Sequence, residues 1–400
     1  MAAPSIRIRM YDVGFGDCFL VTIPAVGRPR RILFDCGSIG MNGKTIGSVV
    51  DELVQAVTDP GQAPRIDLVV ATHRHRDHVS GFASKAWSQV EVGEVWMPWT
   101  EDPKDSQARD IRETQSRLAA TLSRSLALAA HVASNSYASQ LLDVVGNALT
   151  NDTAMNTLHH GFAGNPARRF LPTTRTGTDP IELSILPGVK IYVLGPSRDR
   201  DVIRDMDPPP GTSYLQLIDS LGDVNAEAPW PFANNWITAK PTVRLSRDDL
   251  RLLEIGGDSN EAAIAVALDK AVNGTSLMLV LQIGAAFLLF PGDAQWGTWD
   301  GVMRNPEWVD LLRRTRFYKV GHHGSHNATP KDFVEKMMPK DLWAMVSTKP
   351  KSNWPGIPKK ELLMALSKRT KKIARSDKSV VPKGFSIAQD NYIETSIPIT

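Results

Sequence analysis

The chain has 400 residues, 42% hydrophobic and 22% charged, with a formal net charge of +3. That composition describes a globular protein with a large core and excludes collagen-like or disordered chains, while the length allows one elaborated domain or two. Two cysteines, Cys18 and Cys36, cannot build a disulfide framework or a cysteine-only metal site; they suit a reducing compartment and a core-filling role.

The N-terminus, "MAAPSIRIRMYDVG", lacks the apolar region of a secretory signal. The expected location is therefore cytoplasmic. Strand-like runs "IRIRMYDV", "CFLVTI", "RRILFDCG" and "RIDLVVAT" fill the first eighty or so positions, with one short helical segment among them. From 104 to 151, Ile111, Leu118, Leu122, Leu126 and Val132 and then Leu141, Leu142, Val145 and Leu149 keep helical spacing, which predicts two helices. Strand signals return in "IELSILPGVKIYVLGP", with a turn at Pro187-Gly188. The stretch 197–249, with "DPPPG" and "APWPFANN", reads as a long irregular insertion. "EAAIAVALD" is then read as a strand, followed by two buried strands in "SLMLVLQIGAAFLLF", a run too short and interrupted to span a membrane. A helix near 299–313, the strand "RFYKV", another helix and the strand "DLWAMVST" follow. Strands and helices in two successive halves predict two sheets packed face to face with helices outside, a four-layer αββα sandwich.

Charge is unevenly placed. Segment 331–383 carries fourteen Lys and Arg against five Asp and Glu, a local +9 that leaves −6 for the remainder. Such a run is either a solvated face or a surface for phosphates, which makes nucleic acid the expected partner if it binds one.

Three of the nine histidines, His73, His75 and His78, fall within "LVVATHRHRDHVSGF", with Asp77 beside the last. His73 and His75, two apart just after an apolar strand, point the same way and can reach one cation. Packed imidazoles lack mutual partners in a core, and a metal supplies one. Neutral imidazole and carboxylate suit zinc first, and also manganese or iron. Asp293, after "AFLLF", and His323, after "FYKV", also stand at strand ends.

The spacing H-x-H-x-D-H after a buried strand resembles the signature of the metallo-β-lactamase superfamily. Together with "DVGFGDC", "LFDCG", "FPGDA" and "KVGHHGS", in that order, the chain is similar to the soluble domain of the bacterial DNA-uptake channel ComEC. The likeness covers the chain apart from insertions at about 101–180 (helical) and 197–250 (irregular), and implies a single αββα domain over 1–400 holding two divalent metals. Carried across, His73 and His75 hold one metal, Asp77 and His78 the other, Asp293 bridges them, and His323 completes the second site with His322 as its alternative. Asp12, Asp17 and Asp35 occupy positions from which carboxylates orient ligating histidines. Gly324, Ser325 and Asn260 are the expected substrate contacts. No histidine follows "EVWMPW", where many relatives place another ligand of the first metal; His131, His159 and His160 are the distant candidates to replace it. The N-x-x-S element ahead of a strand is read at Asn260, with Ala263 where serine is usual, and the N-x-x-x-H-P element reads "NWPGIP" with Ile357 in the histidine position.

The implied chemistry is hydrolysis by water activated at the metal pair as bound hydroxide, with Asp77 orienting it and accepting its proton. A phosphodiesterase or nuclease acting on nucleic acid is the first expectation. Hydrolysis of a small molecule such as a cyclic nucleotide, ester or thioester is the alternative; iron-dependent redox chemistry and a non-catalytic interaction module stand behind it, since one fold hosts many reactions.

Overall fold

The computed structural model describes residues 4–41, 43–133, 142, 145–148, 151–173, 178–209, 211–213, 261–350, 356–388 and 391–400. In chain order the first elements are β1 (Ser5–Tyr11), β2 (Phe19–Ile23), β3 (Arg30–Phe34), α1 (Ile46–Ala56), β4 (Arg65–Val70), α2 (Arg76–Val79), β5 (Glu91–Pro98), α3 (Ser106–Ala133), α4 (Asp152–Asn156) and β6 (Ala167–Leu171). There follow β7 (Ile181–Glu182), β8 (Val189–Gly195), α5 (Arg200–Arg204), α6 (Glu261–Asn273), β9 (Met278–Ile283), β10 (Ala286–Phe290), α7 (Trp296–Arg304) and α8 (Pro306–Arg313). The chain ends with β11 (Thr315–Lys319), β12 (Trp343–Val346), α9 (Lys360–Arg369), β13 (Ile373–Arg375), β14 (Phe385–Ala388) and β15 (Tyr392–Pro398).

The strands form two mixed sheets. One has eight strands in the order β14-β15-β1-β2-β3-β4-β5-β6, the other seven in the order β13-β12-β11-β10-β9-β8-β7. Pairing is parallel from β3 through β6 and from β10 through β13, and antiparallel elsewhere.

Period-two alternation explains the layering. In β10, Ala286, Leu288 and Phe290 enter a core shared by both sheets with Ile6, Ile8, Phe34, Leu68 and Leu279, while Phe287 and Leu289 face a different apolar cluster containing Trp299, Leu312 and Leu366 of the helices. In β3, Phe34 enters the shared core and Leu33 packs with Val49, Val50 and Leu53 of α1. Strands buried on both faces need near-continuous apolar sequence, as "MLVLQI" and "AFLLF" show.

Two expectations change. The segment "EAAIAVALD" belongs to the helix α6, because its alanines and leucine are strong helix formers and Ala265, Leu268 and Val272 bury one helical face. The helix near 299–313 is two, α7 and α8, divided where Asn305 caps α8 by accepting from the amide of Glu307 (3.0 Å) and Pro306 opens its first turn. The span 101–180 also contributes β6, paired parallel to β5, and much of the irregular stretch expected at 197–250 lies outside the described residues. Among the described residues no helix is long and apolar enough to cross a membrane.

Candidate metal centre

Parallel strands point their C-terminal ends the same way, and the polar residues that leave those ends converge. His73, His75, Asp77 and His78 follow β4; Asp35 follows β3; Asp293 follows β10; His323 follows β11. Loops rich in glycine let them approach. Gly37 donates its amide to Asp17 O (2.9 Å), and Asp17 donates its own to Asp77 O (2.9 Å). A Cβ on Gly37 would stand 2.5 Å from the backbone of Asp77 and His78, so any side chain there must displace that backbone.

One ligand atom from each of Asp77, His78, Asp293 and His323 lies within 4.8 Å of the others, and all four residues are buried. His78 Nδ1 donates to Asp35 Oδ2 (2.8 Å), and His323 Nδ1 donates to the carbonyl of Ser347 (2.9 Å). Each ring, when neutral, therefore turns a bare Nε2 inward. There His78 Nε2 meets Asp293 Oδ2 at 3.2 Å and His323 Nε2 meets Asp77 Oδ2 at 3.0 Å, while Asp77 Oδ1 is buried with no hydrogen-bond partner. Lone pairs facing carboxylates repel unless a proton or a cation lies between them. Burial opposes charging His78, yet the carboxylates of Asp293, Asp77 and Asp35 raise its pKa well above the ordinary value; His323 is raised likewise through Asp77, Asp17 and Asp293. Burial works against the charged forms of Asp77 and Asp293 too, and His78 overrides it, holding both below the usual carboxylate range. The donor set is one that a divalent metal ion fits.

His73 and His75 stand beside this group, with His73 Nε2 3.2 Å from His75 Nδ1. Burial first, and neighbouring histidines second, push His73 well below its ordinary value; burial brings His75 down to about 4. Both are neutral rings with lone pairs available.

His322 lies outside the four-atom group, with its Nε2 3.8 Å from Asp293 Oδ2, and its backbone N donates to Asp293 Oδ1 (3.2 Å). His322 and His323 both take positive φ, 45° and 53°, as does Asp35 at 54°. Three non-glycine residues in this region at one site mark a strained loop set held by its surroundings. Asp17 joins Asp35 and His78 in a second donor group. Asp12 does not reach the centre in any contact of the described residues: Asp12 Oδ1 accepts from Gly14 N (3.0 Å), the short local turn that an aspartate makes when it leaves a strand. Ser325 Oγ donates to Asn327 Oδ1 (2.8 Å). Asn260 lies outside the described residues. The N-x-x-S spacing immediately ahead of a strand is met instead by Asn273 and Ser276, whose Oγ accepts from the amide of Asp293 (3.2 Å).

Four contributors escaped sequence reasoning. Lys319 is buried, with Nζ against Asp17 Oδ2 and 3.3 Å from Asp293 Oδ1; it lay within the quoted "KVGHHGS" but read as an ordinary strand residue. Asn147 accepts from the amide of Asp77 at 3.2 Å. Asp269 and Asn273 reach His75 from α6: Asn273 Oδ1 is 2.9 Å from His75 Nδ1 and Asp269 Oδ1 3.7 Å from His75 Nε2. Asp269 is pushed up to about 7 by burial and by the charges of Asp77 and Asp293. Of the distant histidines, His159 stacks on Phe170. A scan against protein-family models and a search of curated proteins return no match.

Proposed function

We propose that the chain is a metal-dependent hydrolase of the metallo-β-lactamase superfamily, a four-layer αββα sandwich similar to the soluble domain of ComEC, acting on phosphodiester bonds of nucleic acid. The observation that carries this reading is the buried group Asp77, His78, Asp293 and His323, assembled from three strand ends on two sheets. Zinc, manganese or iron held there supplies Lewis acidity and an activated water at neutral pH. The chain's own residues do the rest. Asp35 and the Ser347 carbonyl hold His78 and His323 in the tautomer that faces inward; Lys319 balances Asp17 and Asp293; Asp77, with one oxygen unpartnered, accepts the proton of the attacking water.

A second reading, hydrolysis of a small molecule, is favoured by the basic segment itself. Arg375 is bound to Asp377 at 2.8 and 2.6 Å, and Lys372 Nζ sits 4.0 Å from the centre of the Trp343 ring. Those charges are engaged within the fold. The tryptophans Trp96, Trp99 and Trp299 are likewise fully buried and unable to stack bases. The deciding experiment offers metal-reconstituted protein linear DNA, RNA, cyclic dinucleotides, and ester and thioester reporters. Cleavage of the polymers is the expected result; turnover of a small substrate alone selects the second reading, and no turnover of any rejects both.

A further inference from the structure

The absence of a histidine after β5 leaves His73 and His75 one ligand short, and the structure places other polar atoms at that point. We infer that the last turn of α6 completes a separate metal site, with Asn273 Oδ1 as the third donor beside His73 Nε2 and His75 Nδ1, and with Asp269 holding the amide and ring in place. The inference rests on the metal-centre reading above, not on the reaction.

The hydrogen bonds define the donor atoms. The Thr72 hydroxyl donates to Asp35 Oδ2 (2.7 Å), so toward His73 Nδ1, 3.1 Å away, it accepts. His73 therefore carries its proton on Nδ1 and turns a lone pair on Nε2 toward His75 Nδ1, 3.2 Å away. The same His75 Nδ1 also has Asn273 Oδ1 2.9 Å away; that amide is oriented because Asn273 Nδ2 donates to Asp269 Oδ2 (3.1 Å). One nitrogen thus has two acceptors within reach. A proton on His75 Nδ1 serves only one of them, and it leaves His75 Nε2 bare, buried and without a hydrogen-bond partner, facing the Asp269 carboxylate at 3.7 Å. A divalent cation removes each of these conflicts. It takes lone pairs from His73 Nε2, His75 Nδ1 and Asn273 Oδ1, and the His75 proton moves to Nε2, where Asp269 receives it in the carboxylate–histidine arrangement that orients metal ligands. Separations of 3.2 and 2.9 Å are those of adjacent ligands at near right angles with metal–ligand bonds of about 2.1 Å. An amide oxygen and right-angled donors suit six-coordinate manganese or iron better than closed tetrahedral zinc.

The test is equilibrium binding of Mn²⁺ to chelator-stripped full-length protein, followed by electron paramagnetic resonance, with thermal melting to confirm folding. The parent is expected to bind two equivalents with a spin-coupled signal. Asn273→Ala should retain one equivalent at parental affinity, weaken the other by about tenfold or more, and lose the coupled signal; the size-conserving Asp269→Asn should weaken the same equivalent by about tenfold. Asn273→Asp, which keeps shape and restores an oxygen donor, should recover it and serves if the alanine variant does not fold. Two equivalents at parental affinity in Asn273→Ala, or loss of both together, overturns the inference. A parent that binds a single equivalent indifferent to Asn273 overturns it while leaving the four-residue centre standing. A parent that binds none removes that centre as well.

Discussion

Asp77 combines two properties that ordinarily exclude one another: it is buried, and one of its oxygens has no hydrogen-bond partner. Such an atom is costly unless it serves a ligand or a proton. Asp77→Asn preserves size and one oxygen but cannot take a proton, so turnover of metal-loaded protein should fall on the order of 10²–10⁴-fold. Full turnover with unchanged metal content would rule out that role. Lys319 is the fixed positive charge of the site, and burial would discharge it were it not for Asp17 and Asp293, which raise its pKa instead. Lys319→Met leaves those carboxylates without their partner and should cost about 3–5 kcal/mol in metal-free protein. Added metal should recover part of the loss, as denaturant titrations with and without Mn²⁺ would show; equal losses in both would mean that Lys319 and the metal act independently.

At the scale of elements, the loops that precede β2 and follow β3 act as a mould for α2. Gly37→Ala would press a methyl group into the backbone of Asp77 and His78, displacing two proposed ligands at once. The expected outcome is a folded protein destabilised by about 1–3 kcal/mol with reduced metal content. Farther from the site, β3 is tied to the loop after α1 by Arg31, whose guanidinium donates to Asp59 Oδ2 at 3.0 Å and to the carbonyl of Val57 at 3.1 Å. The bond to Arg31 is the main cause that holds the Asp59 carboxyl below its ordinary value. Its contribution is therefore complete above the unfolded-state pKa, near 4, and is lost as pH falls through the lower folded value. Asp59→Asn should accordingly lower stability at pH 7 by about 1–2 kcal/mol, with the gap to the parent closing below about pH 4. A gap that stays constant with pH would assign the effect to packing.

For the whole molecule, the centre joins the two sheets: Asp77 and His78 leave the eight-stranded sheet, Asp293 and His323 the seven-stranded one. A metal bound there acts as a staple between them. Chelation should lower the thermal midpoint reversibly, by the equivalent of about 2.7 kcal/mol when metal had stood at a hundred times its Kd; a midpoint insensitive to metal would contradict a shared centre. The long-range field is tested by salt. Lys360, Lys368 and Lys371 are exposed, unlike the half-buried Lys372 and Arg375, and are the residues to reverse to Glu. If they contact a polyanion, the logarithm of affinity falls steeply with that of salt, by about −0.9 per phosphate for duplex and −0.7 for single strands, and the triple variant should bind more weakly with a flatter slope. A small phosphodiester reporter should be cut at the parental rate. Unaltered nucleic-acid binding across the salt series would make this segment a solvated face.

Local sequence determined a great deal. Apolar runs bounded by turns located β2 to β4 and β9 to β12, because strands buried on both faces leave little freedom of composition, and alternation of Ile and Arg located β1; the cluster "HRHRDH" after a strand pointed to the loop whose Asp77 and His78 join the group that could hold a metal ion. Sequence misread "EAAIAVALD", where a short apolar run satisfies strand and helix alike and only burial of Ala265, Leu268 and Val272 against the rest of the chain decides. Nor could it separate Asp35, which orients His78, from Asp12, which closes a turn, since both stand just after strands. Lys319 and Asp269 lay beyond reach for a related reason: each is unremarkable among its chain neighbours and gains its role from residues at least 26 positions away, Asp293 for the first and His75 for the second. Asn273 did carry a local signal, the N-x-x-S spacing ahead of β9, which the strand reading of "EAAIAVALD" drew to Asn260 instead. Spacing along the chain encodes what one strand or helix presents to one face; which faces meet, and which charges must then find partners, is a property of the packed sheets.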